Sequence, residues 1–133
     1  MNKFPKVIAS VLIQKNDKYL LVKETLESGK DYWIVPGGKV NFGEEIEVAA
    51  QREIREELGI NIELTKFLEF KEVIRPQFDY HTVIFFFLGK PLSDNIKIDN
   101  DLKDAKYFSI EEIKKLNLVD SARWLLKEKM KII

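Results

Sequence analysis

Residues 38–60 read GKVNFGEEIEVAAQREIREELGI, and the run Arg52-Glu53-Ile54-Arg55-Glu56-Glu57 inside this stretch decides the fold. Taken as a helix, the stretch sets Ile46, Ala49, Ala50, Ile54 and Leu58 three or four residues apart, the spacing of a core-facing stripe. Gly59 stands where a left-handed cap would end the helix. Gly43 breaks the chain upstream, and Glu44, Glu45 and Glu47 fall in the first turn, where the helix dipole favours negative charge. Away from the apolar stripe, Glu53, Glu56 and Glu57 are spaced i, i+3 and i+4 and share a face, with Cβ atoms about 5–6 Å apart. Three like charges that close repel one another. A cation among them reverses the sign of the energy, and hard oxygen ligands suit Mg²⁺ or Mn²⁺. On the six residues alone, a solvated face laced with pairs such as Arg52–Glu56 is the default.

The wider spacing overturns that default. Gly38 is followed by five residues, Glu44, seven residues, Arg52-Glu53, the aliphatic Ile54, one residue, Glu56-Glu57, one residue, Gly59 and the aliphatic Ile60. The pattern resembles the Nudix box at every fixed position. With each of the seven fixed residues present at roughly one site in fifteen, chance agreement at a given start is on the order of 10⁻⁸. The preceding Trp33-Ile34-Val35-Pro36-Gly37 is similar to the family's usual lead-in.

The resemblance implies an α/β/α sandwich built on a mixed sheet. It also implies hydrolysis of a nucleoside diphosphate linked to some other moiety, with Mg²⁺ or Mn²⁺ as cofactor. By position, Glu53, Glu56 and Glu57 are the implied metal ligands, and the Gly38 carbonyl is a further one, since glycine lets main chain approach an ion closely. Arg52 is expected to orient the carboxylates by ion pairing. Glu44 either reaches metal through water or is simply an acid at the helix start. Many relatives take a general base from a distal loop. Asp99, Asp101 and Asp104 fall there, and a rough alignment selects Asp101, with Glu53 or Glu56 acting on a metal-bound water as the alternative.

In this family the region after the box sets the substrate. ADP-ribose hydrolases tend to carry a proline about sixteen residues past the box, and Pro76 lies sixteen past Ile60. Arg75 beside it and Lys39 are candidate phosphate contacts, and Phe78 a candidate stacking surface for a base. The leading expectation is ADP-ribose or a related nucleotide sugar. Next come oxidised nucleoside triphosphates, as for MutT-type members, then dinucleoside polyphosphates. A domain of a different class, one that binds nucleotide without turnover, would typically have lost box glutamates. The resemblance also allows a homodimer.

Composition narrows the rest. The 133 residues fit one domain spanning 1–133, with 45% hydrophobic and 33% charged residues. Lys+Arg and Asp+Glu number 22 each, so no basic excess points to nucleic acid. There is no cysteine, which excludes disulfides and thiolate chemistry and fits a reducing cytoplasm. Lys3 and Lys6 before Val7–Ile13 faintly resemble a signal peptide, but the apolar run is short and a first strand is the better reading. No run approaches membrane-spanning length. Pro36-Gly37-Gly38-Lys39 is not a P-loop: Trp33 and Val40 stand where that motif needs glycine and Ser/Thr.

Around the box the pattern predicts strands over 6–14, 19–23 and 32–35, with Gly37-Gly38 as loop. A long or broken strand over 62–75, a turn at 76–79 and a central strand over 80–88 follow. After an acidic loop over 93–104, a short strand over 106–108 is expected. Ser109 with Glu112 forms a capping box for a helix over 111–116. Asp120 or Ser121 caps a last helix running to about Lys131, with Ala122, Leu125, Leu126 and Met130 on its apolar face.

Overall fold

The computed structural model describes residues 3–133. A β-branched run and a second apolar run form the first hairpin. Strand β1 (Lys6–Lys15) turns through Asn16, which takes the left-handed conformation at φ 56°, into β2 (Lys18–Thr25). Strands β3 (Asp31–Ile34) and β4 (Gly37–Lys39), helix α1 (Ile46–Leu58), and strands β5 (Ile62–Arg75) and β6 (Tyr80–Pro91) follow. A 3-10 turn over Pro76–Phe78 joins β5 to β6. The chain closes with β7 (Asp104–Phe108), α2 (Ile110–Ile113), α3 (Asp120–Arg123) and a π-helical turn over Trp124–Lys129.

The sheet runs β3-β2-β1-β6-β5, with β4 added on β1 and β7 on β2. It is mixed, because β1 and β6 are parallel while the other pairings are antiparallel. Its faces are covered separately. Ala49, Ala50, Ile54 and Leu58 of α1 pack on Ala9, Val11, Ile13, Leu20 and Val22. Ile113, Ala122, Leu125 and Leu126 pack on Leu12, Leu21 and Phe86 from the other side. This is the expected α/β/α sandwich.

Three expectations change. Gly37 and Gly38 form a strand rather than a loop, laid antiparallel on Ala9 and Ser10 of β1. Only glycine fits at 37, since a Cβ there would overlap the Ala9 carbonyl and Ser10 Cα. The last helix opens at the N-cap Val119 without a side-chain cap and widens into a π turn ending at Lys129. The helix after Ser109 is a single turn, although its capping box with Glu112 is complete.

Candidate active site

Three elements meet beside β1. Strand β4 brings the Gly38 main chain against α1 so closely that a Cβ at 38 would overlap the Glu53 carboxylate. Helix α1 ends at Gly59 in the left-handed conformation, φ 69°. The loop after β6 then docks on the helix end: the Lys97 amide donates to the Leu58 carbonyl and the Asp99 amide to the Glu57 carbonyl, both at 2.9 Å. The otherwise orphaned carbonyls of the last helical turn are thus satisfied by the loop that carries the acidic residues.

Arg52 is the hub of the cluster. Its Nε and Nη2 donate to both oxygens of Glu44 at 2.7 and 2.9 Å, and Nη1 donates to Glu53 at 2.8 Å and to Glu56 at 3.0 Å. Nη2 also donates to the Lys39 carbonyl at 2.9 Å, which ties α1 to the end of β4. Glu44 takes a role the sequence reading did not weigh: it anchors Arg52 and accepts from the Asn41 amide at 3.1 Å. These bonds hold the Glu44 carboxyl down at about 2, chiefly through Arg52, and the carboxylates raise the Arg52 guanidinium still further.

Glu57 has the opposite environment. Its carboxylate accepts one hydrogen bond, from the Gly37 amide at 3.1 Å. Burial, then the charges of Glu53, Glu24 and Asp99, push it up to about 8. Among the described residues only the Gly37 amide opposes these effects, and no cationic side chain does. Glu24 at the end of β2 is itself raised by burial and by Asp101. Tertiary structure therefore gathers Glu24, Glu53, Glu57, Asp99 and Asp101 from β2, α1 and one loop.

Glu24 is the residue the sequence reading missed. The signal was the period of β2: Leu20 and Val22 face α1, so Glu24 falls on that same face, a carboxylate in line with two buried side chains. Of the loop acids, Asp99 bears on Glu57 directly, Asp101 bears on Glu24, and Asp104 instead accepts from the Ala105 amide at 2.8 Å.

The remaining candidates scatter. Lys39 meets the cluster through its carbonyl, and its residue is exposed. Arg75 lies on the face of the sheet away from α1, 3.6 Å from Asp120 of α3. Phe78 is 67% exposed on the β5–β6 turn. Outside the candidates, His81 pairs with Glu72 at 2.7 Å, and Trp33 packs edge-on against Phe108 at 4.8 Å.

Among the described residues no three carboxylates or imidazoles stand in ligand geometry around one point. Arg52 holds Glu53 and Glu56, while the Gly37 amide holds Glu57. The donor set nonetheless fits a hard divalent cation. It is all oxygen and it carries more negative charge than Arg52 neutralises; Glu53, Glu24 and Asp99 add to burial in raising the Glu57 carboxyl.

A NUDIX domain family model matches residues 3–128, and the chain belongs to that family. An ADP-ribose pyrophosphatase of Methanocaldococcus jannaschii is 30% identical over 112 residues, 84% of this chain and 66% of the relative. The Nucleoside triphosphatase NudI of an Enterobacter species is 27% identical over 93% of this chain and 96% of its own length. The chain spans only part of several curated relatives, 29% of Nudix hydrolase 8 of Arabidopsis thaliana for example. Among solved structures, a MutT NUDIX hydrolase from Burkholderia pseudomallei superposes with a TM-score of 0.85 at 28% identity, covering 96% of this chain and 98% of that one.

Proposed function

We propose that this chain is a metal-dependent pyrophosphohydrolase that cleaves the diphosphate linkage of a nucleoside diphosphate derivative, with ADP-ribose or a related nucleotide sugar as the substrate. The observation that carries this reading is geometric: the Glu53 and Glu57 carboxylates of one helix lie against the main chain of Gly38 and Gly37, with the Gly37 amide donating to Glu57 at 3.1 Å. In the reaction water adds to one phosphorus, the bridging P–O bond breaks, and the leaving phosphate oxygen takes up a proton. Glu53, Glu56 and Glu57, with the Gly38 carbonyl, would hold Mg²⁺ or Mn²⁺. Such an ion polarises phosphoryl oxygen and acidifies bound water.

The chain's own residues do the rest. Arg52 fixes the carboxylates of Glu53 and Glu56 in place and is itself fixed by Glu44. Glu24, raised by burial and by Asp101, is a proton-accepting group near these ligands. Asp99 and Asp101 are the loop acids from which a general base would come, and Asp101 is retained as that candidate. The substrate partner is a small molecule rather than a nucleic acid, in keeping with balanced charge. A cysteine-free chain fits the reducing cytoplasm; among the described residues no helix is long and apolar enough to cross a membrane.

The likeness to the ADP-ribose pyrophosphatase supports the sugar-nucleotide reading, as does Pro76. The match to NudI over nearly its whole length favours a second reading, a nucleoside triphosphate pyrophosphohydrolase. Incubation with Mg²⁺ and ADP-ribose, 8-oxo-dGTP or diadenosine polyphosphates, followed by chromatography of the nucleotide products, separates them. AMP formed fastest from ADP-ribose supports the first. A nucleoside monophosphate with pyrophosphate, formed fastest from the triphosphate, supports the second. Nucleotide binding without turnover of any substrate would defeat both and leave a binding domain.

A further inference from the structure

Strand β5 is the end of the sheet, and among the described residues its outer edge pairs with nothing. Its first half is broken by irregularities at Leu64/Lys66 and Phe67/Glu69, but Glu69–Arg75 runs in unbroken register with β6. Bulges and charges are the usual protection of an edge. Here the bulges stop at Glu69: the regular half keeps charges at Glu69, Lys71, Glu72 and Arg75 but exposes Phe70 (53%) and Ile74 (49%).

Hydrogen bonding fixes which residues face outward. The Leu92 amide donates to the Asn61 carbonyl, and alternation carried through the register makes Glu69, Lys71, Val73 and Arg75 the residues bonded to β6. Phe70, Glu72 and Ile74 therefore turn their amides and carbonyls to the open side. The Phe70 amide bears this out, since its acceptor is the Glu69 carboxylate at 3.2 Å.

We propose that two copies of this chain pair antiparallel through β5, with Glu72 opposite Glu72 of the second copy and Glu69 opposite its Arg75. This register sets the two regular segments against each other from end to end. Phe70 opposes Ile74 twice on the α1 face, and Glu69 opposes Arg75 twice on the other face. The three outward residues of each copy meet the same three of the other, each opposed pair exchanging two backbone bonds. The two Glu72 carboxylates meet at the axis, each already tied to a His81.

Neighbouring registers are worse. Centring on Lys71 opposes two lysines and sets Glu69 against Val73, and centring on Val73 opposes Lys71 to Arg75; the Glu72 register also opposes like charges at its axis, but it offsets them with two Glu69–Arg75 pairs. Centring on Phe70 runs the ladder into the irregularity at Phe67/Glu69. The bonds that Glu69 and Arg75 now make, to Lys129 at 3.9 Å and Asp120 at 3.6 Å, are long surface pairs that yield at little cost.

The test is a charge swap read by sedimentation velocity. Wild-type protein is expected to dimerise. Glu69→Arg and Arg75→Glu each turn two attractions into repulsions and should raise the dimer dissociation constant about 10–100-fold. Glu69→Arg/Arg75→Glu together should restore it. Amide exchange on the wild type gives a readout free of variants: protection at Phe70, Glu72 and Ile74 should rise with protein concentration, while Lys71 and Val73 stay unchanged. A wild type that remains monomeric at high concentration, single variants that dimerise like wild type, or a double variant that fails to recover would each overturn the pairing.

Discussion

Arg52 grips both oxygens of the Glu44 carboxylate, through Nε at 2.7 Å and Nη2 at 2.9 Å. The fork-on-fork geometry leaves Nη1 free to reach Glu53 and Glu56. Lysine carries the charge but not the fork. Arg52→Lys and Glu44→Gln should therefore each lower kcat/KM by about 10–100-fold, the usual cost of losing a partner that orients metal ligands. A steady-state comparison of the two variants with wild type checks this, and a near-normal Arg52→Lys enzyme would show that charge alone suffices.

Glu57→Gln should move activity and stability in opposite directions. Removing the carboxylate should reduce turnover and Mn²⁺ affinity by at least about 100-fold. It should also raise the melting temperature of the metal-free protein at neutral pH, because the buried Glu57 carboxyl, raised to about 8, must take up a proton on folding and a glutamine need not. Thermal melts with and without Mn²⁺ test both halves, and an unchanged ion affinity would remove Glu57 from the metal site.

The pH profile of the metal-free protein follows from the same groups. The Glu57 carboxyl is raised from 4.5 to about 8, so between those values the unfolded chain has lost a proton that the fold retains. Its stabilising effect is full below about 4.5 and is lost as pH rises through about 8. Glu44, lowered from 4.5 to about 2, acts with the opposite sign, stabilising above 4.5 and ceasing to do so as pH falls toward 2. Stability should peak between the two regions. Mg²⁺ should flatten the alkaline fall, and its affinity should climb with pH toward 8 as it displaces the Glu57 proton. Denaturant titrations across pH, with and without Mg²⁺, read this directly.

Glu24→Gln removes one of the negative charges that raise Glu57. The pH midpoint of metal binding should shift to lower pH, whereas Asp104→Asn, at a side chain bonded to the Ala105 amide, should leave it in place. Equal effects from the two would argue against Glu24 as part of the site.

The two glycines of β4 separate site from scaffold. Gly38→Ala should displace the Glu53 carboxylate and abolish turnover while the protein still folds. Gly37→Ala would drive a methyl into the backbone of β1 and should cost stability, about 1–3 kcal/mol, the scale of overpacking. Activity and urea titrations of the pair distinguish them.

The sequence by itself determined the box helix, its apolar stripe and its glycine stop, because a helix of this length with a 3.6-residue period encodes its own faces. It also determined the capping box at Ser109 and the turn at Pro76, which rest on bonds or dihedral limits within a few residues. Tertiary structure decided what depends on distant partners. Gly37-Gly38 became a strand because β1 had an edge to receive it. Glu24 joined the cluster because β2 packs under α1, and Asp99 reached Glu57 because the helix end left carbonyls for the loop to satisfy. Glu44 turned from a helix-start acid into the anchor of Arg52, since that pairing spans eight residues and forms only when the loop folds back over the helix. Alternation and spacing are local rules. Which carboxylates share one electric field is set by packing, and no window of the chain contains it.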